Sequence, residues 1–268
     1  MHIRHFTKPS PLKREGEDAL LLNPARHIYG VMDGVTPIAD YKDENGHNGA
    51  YLASNTIKAH MERAGSHGSL VEEVVAANRE LRQAMLRNGI DLVKKHELWA
   101  SCIAAAHVTP EGVRYAQLGD CMVVARYHDG RISALTENRV KGVSARAKAK
   151  RARDRQNGET VEDETGFAEL YRVMAYNRAS MANTPEGYGV ANGTEEAVDH
   201  IQSGFVPIEG LTHLLLISDG MFHPELPLET TMELILSEGI ERYVERVEEA
   251  ERNKNMIPDD RSAVLLSW

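Results

Sequence analysis

The sequence predicts an α+β fold in which antiparallel strands alternate with helices, and three observations carry that expectation. Apolar runs at 102–108, 113–118 and 122–127 are separated only by Pro110-Glu111-Gly112 and Gly119-Asp120, the pattern of strands joined by tight turns. Upstream, two adjacent stretches repeat apolar residues at helical spacing. Downstream, a short apolar run, a helical stretch and a second apolar run close the chain.

Taken in order, residues 19–22 form a short apolar run directly after Glu17-Asp18. Residues 27–32 form another that stops at Asp33-Gly34, so Asp33 is expected at a strand end. From Gly49, the spacing of Ala50, Ala53, Ile57, Met61 and Ala64 predicts a helix. Ser69 with Glu72 forms a capping box ahead of the stripe Leu70, Val71, Val74, Val75, Leu81 and Met85, which marks a second helix. Residues 136–204 have no sustained apolar period and include the turn formers Asn183-Thr184-Pro185-Glu186-Gly187, so they are expected to be an inserted, mobile subdomain, here termed the flap. Residues 211–217 read as a buried strand ending at Ser218-Asp219-Gly220, residues 227–251 as helix and 263–267 as a closing strand. Residues 1–268 are thus expected to form a single domain carrying the flap.

With 268 residues and 42% hydrophobic content the chain can bury one substantial core. A net charge of −9 argues against nucleic acid as a partner, since such proteins carry a basic excess. The two cysteines, Cys102 and Cys121, lie in apolar runs without ligand spacing, which suggests neither a disulfide framework nor a thiolate zinc site. No secretory signal and no run of about 18 apolar residues is evident, so the expected location is the cytoplasm, with no membrane partner. A monomer is the expected state.

Asp33, Asp120, Asp219 and the pair Asp259-Asp260 all fall at predicted strand boundaries, and Glu17-Asp18 precedes another strand. A single Asp-Gly pair is usually a turn. Five such positions able to converge are different, because gathered carboxylates repel unless a cation neutralises them, and oxygen ligands favour Mg²⁺ or Mn²⁺ over zinc. Two such ions roughly 3.5–4 Å apart activate water and align a phosphoryl group, so metal-assisted hydrolysis of a phosphate ester is the expected chemistry.

The order Glu17-Asp18, VMDG at 31–34, QLGD at 117–120, LLLISDG at 214–220 and PDDRS at 258–262 resembles the metal-dependent protein phosphatases of the type 2C or PPM family, in a form similar to its bacterial members. The match extends over nearly the whole chain outside the flap. The resemblance implies a central β-sandwich of two antiparallel sheets flanked by helices, an α-β-β-α arrangement, with two metal ions, Mn²⁺ or Mg²⁺, at one edge. It implies that Asp33 bridges the metals, Gly34 offers its carbonyl, Asp219 serves the first metal and Glu17 the second, and that the last metal ligand falls at Asp259, with Asp260 beside it. Which member of that pair is the ligand stays open. Asp18 would orient a water at the metals, and Asp120 would hold a third ion together with Asp219.

The chain departs from the family at informative places. His223 stands where a further aspartate is common and could bind Mn²⁺, and Met122 replaces the arginine of a Gly-Asp-Ser-Arg block. The family's phosphate-binding arginine corresponds to Lys13, with Arg14 beside it, and an ammonium lacks the bidentate reach of a guanidinium. Val35 replaces the histidine that eukaryotic members carry after Asp-Gly.

Rival readings are weaker. A haloacid-dehalogenase phosphatase needs a carboxylate at Val31, and a cysteine phosphatase needs one more residue between Cys121 and Arg126. Asp43, Asn45 and Gly46 fit the middle of a calcium loop whose first and twelfth positions, Tyr41 and Leu52, lack ligand oxygens, so an exposed loop beside the cleft is expected. Between Arg139 and Arg155 eight basic residues face one acid, Asp154, either as a solvated helix or, with Arg151 and Arg153, as a surface steering acidic substrate. The expected function is a serine/threonine protein phosphatase acting on phosphorylated proteins; the alternatives are a phosphatase of a small phosphorylated metabolite and a non-catalytic sensor or scaffold.

Overall fold

The structure is a computed structural model and describes residues 1–63 and 68–268; Ala64 of the predicted first helix lies outside the described residues. The chain supplies strands β1 (His2–Lys8), β2 (Ala19–Asn23), β3 (Ile28–Gly34), β4 (Ser101–Val108), β5 (Gly112–Leu118), β6 (Met122–Tyr127), β7 (Ile132–Ala134), β8 (Gln202–Pro207), β9 (Leu211–Ile217) and β10 (Arg261–Ser267). They pair antiparallel into two five-stranded sheets, one ordered β1-β10-β9-β6-β7 and the other β2-β3-β4-β5-β8.

The side-chain period of two along each strand builds three layers of core. In β4, Cys102, Ala104 and Ala106 face the opposite sheet, whereas Ile103 and Ala105 face outward. In β9, Leu214 and Leu216 point inward, and Leu215 and Ile217 outward. Both faces of these strands are covered, which is why they read as continuous apolar runs.

Helices α1 (Gly49–Arg63) and α2 (Leu70–Arg87) cover the outer face of the β2–β8 sheet through Ile57, Met61, Val74 and Leu81. The capping box forms as expected: the Ser69 hydroxyl accepts the Glu72 amide and the Glu72 carboxylate accepts the Ser69 amide. On the other sheet the expected single helix over 227–251 is two, α5 (Leu228–Glu238) and α6 (Ile240–Asn253), as Gly239 at φ 93° breaks the run. Met232, Ile235, Tyr243 and Val247 cover that sheet. The fold is therefore the two-sheet, helix-flanked sandwich that the resemblance implied.

The flap stretch carries α3 (Val143–Gln156) and α4 (Leu170–Ser180), and its end is already strand, because β8 starts at Gln202. Much of it is anchored rather than loose. Met181, Tyr188, Val190 and Ala191 are buried, and Ala191 bridges to Ser101. Their irregular spacing hid this packing from a periodicity argument. In chain order α3 and α4 lie between β7 and β8.

Candidate functional site

The register of the two sheets brings the predicted carboxylates to one end of the sandwich. Ala19 pairs with Met32, so Asp18 and Asp33 lie next to each other at the ends of β2 and β3. On the neighbouring strand Cys102 pairs with Asp33, and Asp120 occupies the turn from β5 to β6 that carries the chain between sheets. Asp219 follows β9, and Asp259-Asp260 precede β10, which pairs with β9 through Ala263 and Ile217. Gly220 makes the last approach possible: a Cβ there would lie 1.9 Å from the Asp260 carbonyl oxygen.

Asp33, Asp120 and Asp219 each present a carboxylate oxygen within 4.8 Å of the others, a geometry able to hold a metal ion. Burial, followed by repulsion from Asp18, Asp219, Asp120 and Asp259, drives the Asp33 carboxyl well above the usual aspartate range. Burial also pushes Asp219 up to about 8, with Asp120 and Asp259 adding to it, and raises Asp120. Asp18 is pushed to about 7 by burial, against the opposing effect of the Ser218 hydroxyl that donates to its Oδ2 at 2.8 Å. Its Oδ1 is buried with no hydrogen-bond partner. Carboxylates this crowded and dehydrated ionise together only beside a cation, so oxygen donors, spacing and the orphaned oxygen all fit divalent metal.

Glu17 is buried, with Oε1 accepting from the Asn48 amide and Oε2 2.7 Å from the Lys13 ammonium. Gly34 is the buried last residue of β3. The neighbouring aspartates of the C-terminal motif differ sharply. Asp260 is buried and its oxygens accept from the Ser10 amide at 2.7 Å, the Glu17 amide at 2.7 Å and Lys13 at 2.9 Å. Asp259 has a half-exposed side chain whose contacts are Lys13 at 3.2 Å and the amide of Asp260. Arg261, fully buried and paired with Glu251, donates to the Asp259 carbonyl at 2.9 Å and fixes that backbone.

The Lys13 ammonium thus reaches Glu17, Asp259 and Asp260 at once. Burial opposes its charge, but its hydrogen bonds to Glu17 and Asp260 outweigh this and hold its pKa well above the ordinary lysine value. Arg14 is exposed and lines, with Lys13, Glu17, Asn45, His47 and Tyr51, a cleft of about 440 Å³. The 43–46 segment forms one wall of that cleft, where Asp43 accepts from the amides of Asn45 and His47.

Two expectations meet a different outcome. His223 is not among the residues gathered at the carboxylate cluster; its Nδ1 accepts the Glu225 amide at 3.2 Å, and burial lowers its pKa. The steering surface at Arg151 and Arg153 must be corrected. Arg151 is only 3% exposed, makes a two-pronged pair with Glu164 at 2.9 and 2.8 Å, and lies over the rings of Phe167 and Tyr176. Arg153 pairs with Glu186 and Lys150 with Asp154. Glu164 and Glu186, which answer Arg151, Arg155 and Arg153, lie farther along the chain, so local counting overlooked them. Sequence reasoning also missed Ser218, Ser262, Asn48 and Ser54, which position Asp18 and Glu17. Ser218 and Ser262 sat inside the motifs, but only the folded register gives them partners.

A sequence profile described as protein phosphatase 2C matches residues 16–260. No curated protein matches in sequence. Among solved structures, a bacterial serine phosphatase is 16% identical over 100% of this chain and 97% of its own, with a TM-score of 0.61. Staphylococcus aureus serine/threonine phosphatase Stp1 is 14% identical over 99% and 94%, with a TM-score of 0.59. The catalytic domain of serine threonine protein phosphatase PstP, solved in complex with two manganese ions, is 14% identical over 98% and 96%, also at 0.59. At these identities the likeness is one of fold.

Proposed function

The chain belongs to the protein phosphatase 2C family and is a phosphoprotein phosphatase, and from that premise we propose that it hydrolyses phosphoserine and phosphothreonine in proteins with two divalent metal ions. The observation that carries this reading is the meeting of Asp33, Asp120 and Asp219 within 4.8 Å at the junction of both sheets. Asp33, Asp219 and Asp259 would hold one ion, and Glu17, Asp33 and the Gly34 carbonyl the other. Asp259 is preferred over Asp260 because three protein donors already occupy Asp260. A third ion, between Asp120 and Asp219, belongs to the same proposal. Manganese is the first choice, by analogy with the PstP complex, and Mg²⁺ the second.

Bound there, the ions would neutralise the cluster and the phosphoryl group and bring the pKa of water toward neutrality. The protein's own groups do the rest. Asp18, held by the Ser218 hydroxyl, keeps its buried Oδ1 without a protein partner, and that oxygen would accept a hydrogen bond from the attacking water and align it. Val35 offers no proton, so the leaving alkoxide takes one from solvent. Arg14, on the rim of the cleft, is exposed to incoming substrate.

The convergence of Asp33, Asp120 and Asp219 argues against a scaffold that has lost turnover. Among the described residues no helix is long and apolar enough to cross a membrane. The test is Mn²⁺-dependent phosphate release from a phosphothreonine peptide by wild type, Asp33→Asn and Asp219→Asn. Turnover that needs metal and collapses in both variants supports the proposal. Tight Mn²⁺ binding without peptide turnover would redirect it to a metabolite substrate, and absence of metal binding would sink it.

A further inference from the structure

The flap arginines divide into those whose donors are taken up by carboxylates or by several carbonyls and one, Arg178, whose donors are mostly free among the described residues. Arg151 and Arg155 share Glu164, Arg153 pairs with Glu186, Arg172 with Glu162, and Arg146 donates to the carbonyls of Arg139, Lys141, Glu186 and Gly187. Arg178, in the last turn of α4, has no carboxylate partner among the described residues. Its one hydrogen bond runs from Nη2 to the carbonyl of Thr36, two residues beyond Gly34. It is half-buried, and burial lowers its pKa. A guanidinium that has lost water without gaining a counter-charge is costly to hold.

Its surroundings belong to the metal end of the sandwich. Arg178 lies near Tyr188 and Cys102, and Cys102 hydrogen-bonds to Asp120 and pairs in register with Asp33. The arginine also stands on a fixed element. Asn177 donates to Ser144 on α3 at 3.2 Å, and Met181, the next residue but two after Arg178, is fully buried between the sheets. Meanwhile the cation set among the carboxylates is spent: the three N–H bonds of Lys13 go to Glu17, Asp259 and Asp260.

We propose that Arg178 is a substrate-binding residue that reaches across from the flap and holds the phosphoryl oxygens of the bound phosphoresidue. One of its five N–H donors is committed to Thr36 and four remain, enough for a two-pronged contact that the Lys13 ammonium cannot make. The proposal rests on the phosphatase reading given above and deepens it by naming what receives the phosphate.

The experiment uses the Mn²⁺-loaded full chain as wild type, Arg178→Ala, Arg178→Lys and, as a flap control, Arg172→Ala. Inorganic phosphate binding is measured by calorimetry, KM by turnover of a phosphothreonine peptide, and Mn²⁺ affinity and Tm in parallel. Arg178→Ala is expected to weaken phosphate binding and raise KM by about tenfold or more, the loss of a charge-assisted contact. Arg178→Lys should recover only part of this, while Mn²⁺ affinity and Tm hold and Arg172→Ala behaves as wild type. Unchanged phosphate binding in Arg178→Ala overturns the proposal. So does a loss matched by an equal loss of Mn²⁺ affinity and Tm, which would mark a structural role. A wild type that does not turn over the peptide defeats the phosphatase reading instead, and phosphate binding by the variants still decides the role of Arg178.

Discussion

The carboxylate end of the sandwich and the basic run of α3 look alike in the sequence, each a gathering of like charges, but the fold treats them in opposite ways. Around α3 the flap itself supplies acids for most of the basic run: Glu164 answers Arg151 and Arg155, Asp154 answers Lys150 and Glu186 answers Arg153. At the sandwich end, Asp33, Asp120 and Asp219 face one another, and Lys13 reaches only Glu17, Asp259 and Asp260 on one side. One region is electrostatically closed and the other is open to an external cation. Like charge in a sequence therefore says little until the partners are located.

The largest expected effect comes from removing an open charge. Asp33→Asn and Asp219→Asn should each lower Mn²⁺-dependent turnover by roughly a thousandfold or more. Both should leave the metal-free protein at least as thermally stable as wild type, because each relieves a buried repulsion. Loss of thermal stability in both variants without metal would break the contrast. In the closed region the prediction reverses. Arg151→Met should cost about 2–3 kcal/mol through the lost Glu164 pair and ring contacts, lowering Tm by roughly 5–10 °C. Turnover per folded molecule should stay near wild type.

A smaller effect follows from pH. Asp18 and Asp219 are raised to about 7 and about 8 from an ordinary 3.8. Between roughly pH 4 and 8 the native metal-free protein therefore binds more protons than the unfolded chain, and its stability falls as pH rises. Mn²⁺ competes with those protons, so the gain in Tm on adding Mn²⁺ should grow from about pH 5 to about pH 8. Calorimetry with and without Mn²⁺ reads this directly, and a gain independent of pH would separate the cluster from the metal. Smallest of all, Arg153→Glu removes only an exposed pair with Glu186 and should change stability by less than about 1 kcal/mol. The salt dependence of peptide KM should be unaltered; a marked change would restore a steering role to this surface.

The legibility of the molecule followed burial. Strands β3, β4, β6, β9 and β10 were readable because most of their residues are buried and their apolar runs are long, and β5 because turn residues bound it on both sides. β1, β7 and β8 lie at sheet edges, where strands such as HIRHFTK expose most of their residues and lose that signal. The break at Gly239 was hidden by apolar residues that keep helical spacing on either side of it. In the site, the aspartates were visible as strand ends, and the layered arrangement came from the family resemblance rather than from periodicity. What the sequence left open between Asp259 and Asp260 depends on amides at Ser10 and Glu17, about 250 residues away in the chain but bonded in the fold.

The position of β10 has a consequence for the order in which the protein is made. It is synthesised after β1 to β9, yet it lies inside its sheet, with β1 on one side and β9 on the other. The first strand of the chain consequently has no neighbour until residues 261–267 have left the ribosome, and Asp259 arrives with them. A chain interrupted at residue 255 would lose the seam of a sheet rather than a tail, which ties catalytic competence to the completion of synthesis through this strand.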